Sequence, residues 1–246
     1  IVPDCGMGPG LNISLGMCAM SMINRPQELY IWDGGLPQNP QIPWNYDLTF
    51  NIQGLTNEYT GNAFYLRNGK VVAIPTLTEL ETLEFPETLG TLEAAVTSGG
   101  LSTAPWTLIG KLERLENKTL RYPGHWAQMQ TFEKLGLFRK DAVSINGFEV
   151  IPRNVFHALL EPQISKSKAR DVCVIRVQCI GKDTNNRRAR ATIELIDYYD
   201  PFTGFTAMQK LTGWHASTVA ILCTENKIPR GVIPVETISG PLIVAE

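Results

Sequence analysis

Apolar residues recur along this chain with two different periods. Leu11, Leu15, Cys18, Ala19 and Met22 have helical spacing and follow a glycine-rich segment, Pro3-Asp4-Cys5-Gly6-Met7-Gly8-Pro9-Gly10. That order predicts a tight turn leading into a helix. Ile1-Val2 ahead of the turn predicts the end of a strand. Gln27 to Trp32 and Asp47 to Ile52 predict further strands, separated by a rigid loop that opens on Asp33-Gly34-Gly35 and carries Pro37, Pro40 and Pro43. Leu55 to Tyr59 suggests one helical turn. Phe64 to Ile74 folds about Asn68-Gly69, a pair suited to the positive φ angles of a two-residue hairpin turn.

Further along, Thr78 to Glu84 predicts a short helix, Leu92 to Ser98 a strand, and Leu101 to Leu115 a helical segment. Thr119 to Tyr122 is extended. Pro123-Gly124 opens a helix to about Leu135, which Gly136 stops, and Pro152 to Leu160 is another helix with proline in its first turn. Val172 to Ile180 and Arg190 to Tyr198 are long alternating strands joined by a polar tip, Lys182 to Asn186, and His215 to Thr224 predicts a closing helix. The pattern holds no internal repeat, low-complexity tract or linker. It predicts an α+β fold with a mixed, largely antiparallel sheet and helices packed on one face.

Composition narrows the classes of partner. With 246 residues, 43% of them hydrophobic, the chain can bury a substantial core. A net charge of −2 gives no pull toward nucleic acid or an anionic membrane, so small molecules or a second copy are the expected partners. Leu11 to Ile23 is interrupted by Asn12, Ser14, Gly16 and Ser21, too short and polar to span a bilayer, and no cationic segment precedes it as in a signal peptide. Five scattered cysteines without a CxxC pair argue against a disulfide framework and for a reducing, cytoplasmic compartment. Three histidines, none spaced i+3 or i+4 from another, leave no metal site expected.

Candidate chemistry gathers in three places. Gly6, Gly8 and Gly10 form G-x-G-P-G rather than a dinucleotide fingerprint, which suits a turn whose backbone approaches a ligand closely. Arg121-Tyr122-Pro123-Gly124-His125 sets a cation, a phenol and an imidazole at a strand-to-helix junction. Arg121 is suited to clamp a carboxylate beside a helix amino terminus, and His125 to exchange a proton near neutral pH. A surface ion pair for Arg121 and a solvated His125 account for the same residues equally well. Asn57-Glu58 offers a carboxylate for an amine, although a glutamate there is commonly a partner of the helix dipole. Asp4 and Cys5 lie in the glycine turn. His215 reads as structural, and Arg187-Arg188-Ala189-Arg190 as a solvated hairpin tip.

Val2 to Leu11, Gly34-Gly35-Leu36-Pro37, Gly54 to Tyr59, Lys118 to His125 and Gly231 to Glu236 together, in this order and at these distances, resemble the saccharopine dehydrogenase-like family, especially its lysine 6-dehydrogenase branch. The resemblance covers nearly the whole chain. It implies the C-terminal, substrate-binding and dimerising domain of an NAD(P)-dependent amino-acid oxidoreductase that acts on a C–N bond, with a mixed sheet of the saccharopine or glyceraldehyde-3-phosphate dehydrogenase type. Residues 1–25 would then be a junction with an absent N-terminal Rossmann domain, and residues 26–246 the substrate and dimer domain.

In that reading Arg121 and Tyr122 bind substrate with Glu58 and Asn57, and His125 and Asp4 carry the catalysis. Cys5, Gly6, Met7 and Gly8 face the nicotinamide of NAD or NADP. The chain alone is expected neither to hold the cofactor tightly nor to turn over substrate. Two departures stand out: Gly8 replaces an acidic residue of the saccharopine reductases, and Ser102 replaces an arginine of many lysine dehydrogenases. Two other readings compete, an assembly module that pairs through the Val172 to Tyr198 hairpin and a small-anion sensor built on the helix start at Pro123. Convergence of Arg121, His125, Glu58 and Asp4 on one cleft favours the enzyme.

Overall fold

The computed structural model describes residues 1–86, 88–166 and 169–245. Elements are numbered in chain order. The frame is an eight-stranded sheet. Strand β1 (Arg25–Pro37) runs antiparallel to β9 (Asp171–Lys182) on one side and parallel to β6 (Arg114–Arg121) on the other. Beyond β9 lies the edge strand β10 (Arg188–Tyr198). The start of β6 pairs with β2 (Asn62–Arg67), which continues to β3 (Lys70–Pro75), and the end of β6 pairs with β5 (Thr91–Val96), which continues to β4 (Glu81–Glu84).

Side chains alternate across this sheet and split its core in two. On one face Cys173, Ile175, Val177 and Cys179 of β9 join Leu29 and Ile31 of β1 beneath Leu15 and Ala19 of helix α1 (Leu11–Ser21). On the other, Val172 and Val174 join Leu36, Leu92 and Leu120. Each fully buried aliphatic side chain contributes about 1.5–3 kcal/mol. Helix α7 (Gly240–Ala245) lies so close to α1 that a Cβ on Gly240 would come 2.3 Å from the Cys18 backbone nitrogen. Helix α6 (Ala207–Thr224) starts in a Thr206–Gln209 capping box, and Asp171 accepts from the N–H groups of Ala207 (2.7 Å) and Met208 (2.9 Å). A further cluster of Tyr46, Tyr59, Trp126, Phe138 and Phe156 is closed by α2 (Ile52–Glu58), α4 (His125–Leu135) and α5 (Pro152–Ile164).

Several predicted elements form as expected. Asn68 and Gly69 take φ of 51° and 69° between β2 and β3, and Gly136 ends α4 at φ 86°. The long β9–β10 hairpin is present, with Asp183 accepting from the backbone of Asn185 and Arg187 at its tip.

Other segments differ. Ile1-Val2 is not a strand; its backbone is tied to the 231–233 segment through Ile233 N–H to Ile1 O at 2.9 Å. Asp33-Gly34-Gly35 is not a loop but the continuation of β1, because neighbouring backbone comes too close for side chains: a Cβ on Gly34 would meet the Leu120 carbonyl at 2.5 Å. Asp47 to Asn51 is irregular, and Ile52 already belongs to α2. Residues 81–84 form β4 rather than a helix, since β5 offers a pairing edge. The 101–115 segment is mostly turns around the short α3 (Ala104–Thr107) and ends in β6. A small hairpin of β7 (Val143–Ile145) and β8 (Phe148–Val150) is not among the elements expected from the pattern. Among the described residues no helix is long and apolar enough to cross a membrane.

Candidate functional site

The glycine turn sits at the mouth of a cleft of about 440 Å³. It is fixed by its own backbone, with Leu11 N–H to Gly6 O and Asn12 N–H to Met7 O, both at 2.9 Å. Gly10 has φ +140°, and a Cβ there would come 2.2 Å from the Gly6 carbonyl, so glycine is required. Asn12, buried in the first turn of α1, stitches three segments together. Its Oδ1 accepts from Gly10 N–H at 3.0 Å, and its Nδ2 donates to Asp33 Oδ2 at 2.7 Å and to the Gly100 carbonyl at 3.1 Å.

The cleft floor is set by the parallel β1–β6 pair. Asp33 stands opposite Thr119, and because side chains alternate along a strand, Asn117, Thr119 and Arg121 share its face. Asp33 accepts a second hydrogen bond, from Asn117 Nδ2 at 3.1 Å. Burial raises its carboxyl to about 6, against the opposing effects of the Asn117 and Asn12 hydrogen bonds and the Arg121 charge. Glu58, at the end of α2, also lines the cleft. Burial raises it to about 7, with Arg121 opposing and Asp33 adding to the rise.

Arg121 is only 2% exposed, yet it makes none of the ion pairs found among the described residues. Its Nε donates to Tyr59 Oη at 3.3 Å, its Nη1 to the Leu120 carbonyl at 2.9 Å, and its guanidinium lies 5.0 Å from the Tyr46 ring centroid. These contacts orient the cation without neutralising it. A buried, unneutralised guanidinium at a cleft wall is suited to an anionic ligand.

Of the residues singled out from sequence, Asp4, Gly6, Met7, Gly8, Glu58 and Arg121 converge on this cleft. Asp4 accepts from the Ser102 hydroxyl. Four others lie elsewhere.

His125 is buried beneath Tyr46, Tyr59 and Trp126, with Nε2 2.9 Å from Tyr59 Oη. Burial and the nearby Arg121 charge hold its imidazole well below its ordinary value, so it is a neutral core residue rather than a proton shuttle. Tyr122 points to the opposite sheet face from Arg121 and donates to the Pro37 carbonyl at 3.1 Å. Asn57 is exposed and accepts from Arg153 Nη1 at 2.9 Å. Cys5 packs against the Val219–Leu222 cluster, where burial and the Asp4 charge raise its thiol and leave it protonated. The start of α4 also differs: Gly124 caps it, and its N–H already donates to Glu93 Oε2 at 3.1 Å, which occupies the expected anion position.

Asp33, Asn12 and Asn117 also line or brace the cleft, although the sequence pattern does not mark them as site residues. Asp33 had one signal, its place directly before the Gly34-Gly35 pair, but its role depends on β6, 84 residues away along the chain in its contact with Asn117. His215 meets the structural role read for it, buried with Nε2 3.0 Å from Ser14 Oγ.

Comparison with known proteins matches this architecture. A family model described as the saccharopine dehydrogenase C-terminal domain matches residues 6–245. Mitochondrial alpha-aminoadipic semialdehyde synthase of Mus musculus is 28% identical over 155 residues, 58% of this chain. The match spans only 16% of that relative. Among solved structures, apo saccharopine dehydrogenase (L-Glu forming) from Saccharomyces cerevisiae aligns with a TM-score of 0.76 at 15% identity, over 98% of this chain and 69% of its own. Homospermidine synthase of Legionella pneumophila, solved with NAD, aligns with a TM-score of 0.59 at 14% identity, over 98% of this chain and 59% of its own. At these identities the structural likenesses establish the fold. The family match extends over almost the entire sequence, from Gly6 of the glycine turn through the closing segment, and the chain belongs to the saccharopine dehydrogenase C-terminal domain family.

Proposed function

We propose that this chain is the substrate-binding part of an oxidoreductase that removes hydride from a C–N bond of an amino acid of the lysine or saccharopine type and passes it to NAD(P)+. The observation behind this is Arg121, a buried guanidinium without an ion pair among the described residues, in a cleft that the glycine turn borders. Arg121 holds the substrate carboxylate. Glu58, raised to about 7, faces the amine and is poised to exchange a proton near neutral pH. Asp4 and the Gly6-Met7-Gly8 backbone form the wall toward the nicotinamide.

The cofactor fits this wall on one ground: the turn exposes backbone at Gly6 and Gly8, where side chains would otherwise intervene. When bound, a nicotinamide supplies the hydride acceptor. This chain's own residues then bind and orient the amino acid and manage the proton. Within this reading the nucleotide is held chiefly by a separate Rossmann domain of the full-length protein.

Replacement of Arg121 by Lys in the full-length protein tests the clamp. A point-charge ammonium cannot reproduce the bidentate fork, so KM for the amino acid rises by about tenfold or more. Unchanged KM and kcat would remove Arg121 from substrate binding.

We further propose a homodimer formed along β10. This edge strand carries Ala191, Ile193 and Leu195 half-buried against the first core cluster and leaves its outer backbone edge open to a second copy. Light scattering of the full-length protein distinguishes a dimer from a monomer, and a monomer would end this proposal.

A further inference from the structure

Two buried groups of opposite charge face the cleft from adjacent strands. Asp33 is 5% exposed and Arg121 2%, and among the described residues neither is ion-paired to the other or to any third group. The register fixes their separation. Asp33 stands opposite Thr119, so Arg121 is one strand across and two residues on, which places their Cα atoms about 8 Å apart on the same face. Both side chains line the cleft between them.

The surroundings hold each charge in place without cancelling it. Asn12 and Asn117 each donate to one oxygen of Asp33, which leaves further lone pairs on both oxygens. Tyr59 and Tyr46 orient Arg121. Gly8 has no side chain over Asp33; a Cβ there would lie 2.5 Å from Oδ2 and close that approach. A buried carboxylate whose side-chain donors are neutral amides, with Arg121 too far for an ion pair, has no cation in contact with it. The ligand chemistry that supplies a cation to one group and an anion to the other, across a gap this short, is the zwitterionic head of an α-amino acid.

We propose that Asp33 receives the α-ammonium of the amino acid whose α-carboxylate Arg121 holds, so that the two residues together select for a free, unblocked head group. This rests on the amino-acid reading above and adds a specificity-determining residue to it. It also gives the two acids of the cleft different roles. Asp33 anchors the head group, and Glu58, on α2, is left for the reacting amine.

The test is isothermal titration of the full-length protein, saturated with NADH or NADPH so that no hydride transfer follows binding, with L-lysine and L-saccharopine as probes and the Nα-acetylated form of each as comparator. Wild type should bind at least one free amino acid and lose about tenfold or more in affinity on acetylation. In Asp33→Asn the free amino acid should weaken to the level of its acetylated form, because the charge that distinguishes them is gone. Arg121→Lys should weaken both forms together. Asp33→Ser, smaller and equally uncharged, repeats the measurement if the asparagine variant does not fold. Full discrimination retained in a folded Asp33 variant, with binding weakened in Arg121→Lys, would overturn the role of Asp33 and leave the amino-acid reading standing. Failure of wild type to bind either free amino acid would overturn both.

Discussion

A Cβ added to Gly8 would stand 2.5 Å from Oδ2 of Asp33. The glycine turn thus packs directly on the Asp33 side chain of β1, with no room for a side chain at position 8. Gly8→Ala should force the turn off β1 and cost about 1–3 kcal/mol, the usual range for overpacking. Asp33→Gly in the same protein should return most of that loss, because the clash partner is gone. Thermal unfolding of both single variants and the double variant checks this, and additive effects would show that the two residues do not compete for space.

Asp33 also makes stability depend on pH. Its folded carboxyl is raised from 3.8 to about 6, so between these values the folded state binds more protons than the unfolded state. Stability from this group is therefore greatest in acid and falls as pH rises from about 4 to about 6. Asp33→Asn removes the cost of the buried charge, so its melting temperature relative to wild type should climb across that window and level off above it. The shift corresponds to at most about 3 kcal/mol. A difference between the two proteins that is constant from pH 4 to 8 would mean that Asp33 is not desolvated.

Tyr59 links the clamp to the core, because its hydroxyl lies 3.3 Å from Arg121 Nε and 2.9 Å from His125 Nε2. Tyr59→Phe leaves both groups short of a buried partner and should destabilise the protein by about 1–3 kcal/mol. It should also raise KM more than it lowers kcat, since Arg121 loses a contact that orients it.

His125→Gln tests the same network from the other side. A neutral core imidazole predicts a lower melting temperature and a pH profile of kcat/KM that keeps its shape. Loss of a limb near the ordinary histidine value would restore His125 as a proton carrier. Because its imidazole is held well below 6.5, its contribution to stability is present above that pH and is lost as pH falls below it.

Much of the fold is legible from local pattern. Asn68-Gly69 dictates its hairpin, Gly136 its helix end, and the alternation in Val172 to Tyr198 its strand pair. What local pattern does not carry is pairing. Residues 81–84 become a strand only because β5 is beside them, and Asp33-Gly34-Gly35 continues β1 because Leu120 presses against Gly34.

The site divides along the same line. Arg121, Glu58, Asp4 and the glycine turn are visible as residue types at suitable junctions and do converge on one cleft. Tyr122 follows Arg121 but alternation along the strand sends it to the opposite sheet face, and His125 packs behind Arg121 among the rings of Tyr46, Tyr59 and Trp126 rather than in the cleft. Asp33 becomes a site residue only when the parallel β1–β6 register sets it beside Asn117 and Arg121.

If this cleft serves amino-acid oxidation at a nicotinamide, the full-length protein reduces the cofactor in the presence of its amino acid. The most direct measurement follows nicotinamide reduction by the full-length protein on addition of L-lysine or L-saccharopine with NAD+ or NADP+, with products identified by mass spectrometry. NADH or NADPH should form only with the amino acid present, together with a product oxidised at the C–N bond, and both should be suppressed in Arg121→Lys at sub-saturating substrate. A folded full-length protein that binds NAD+ or NADP+ yet oxidises neither amino acid, or that oxidises one with Arg121→Lys unimpaired, would contradict this role of the cleft.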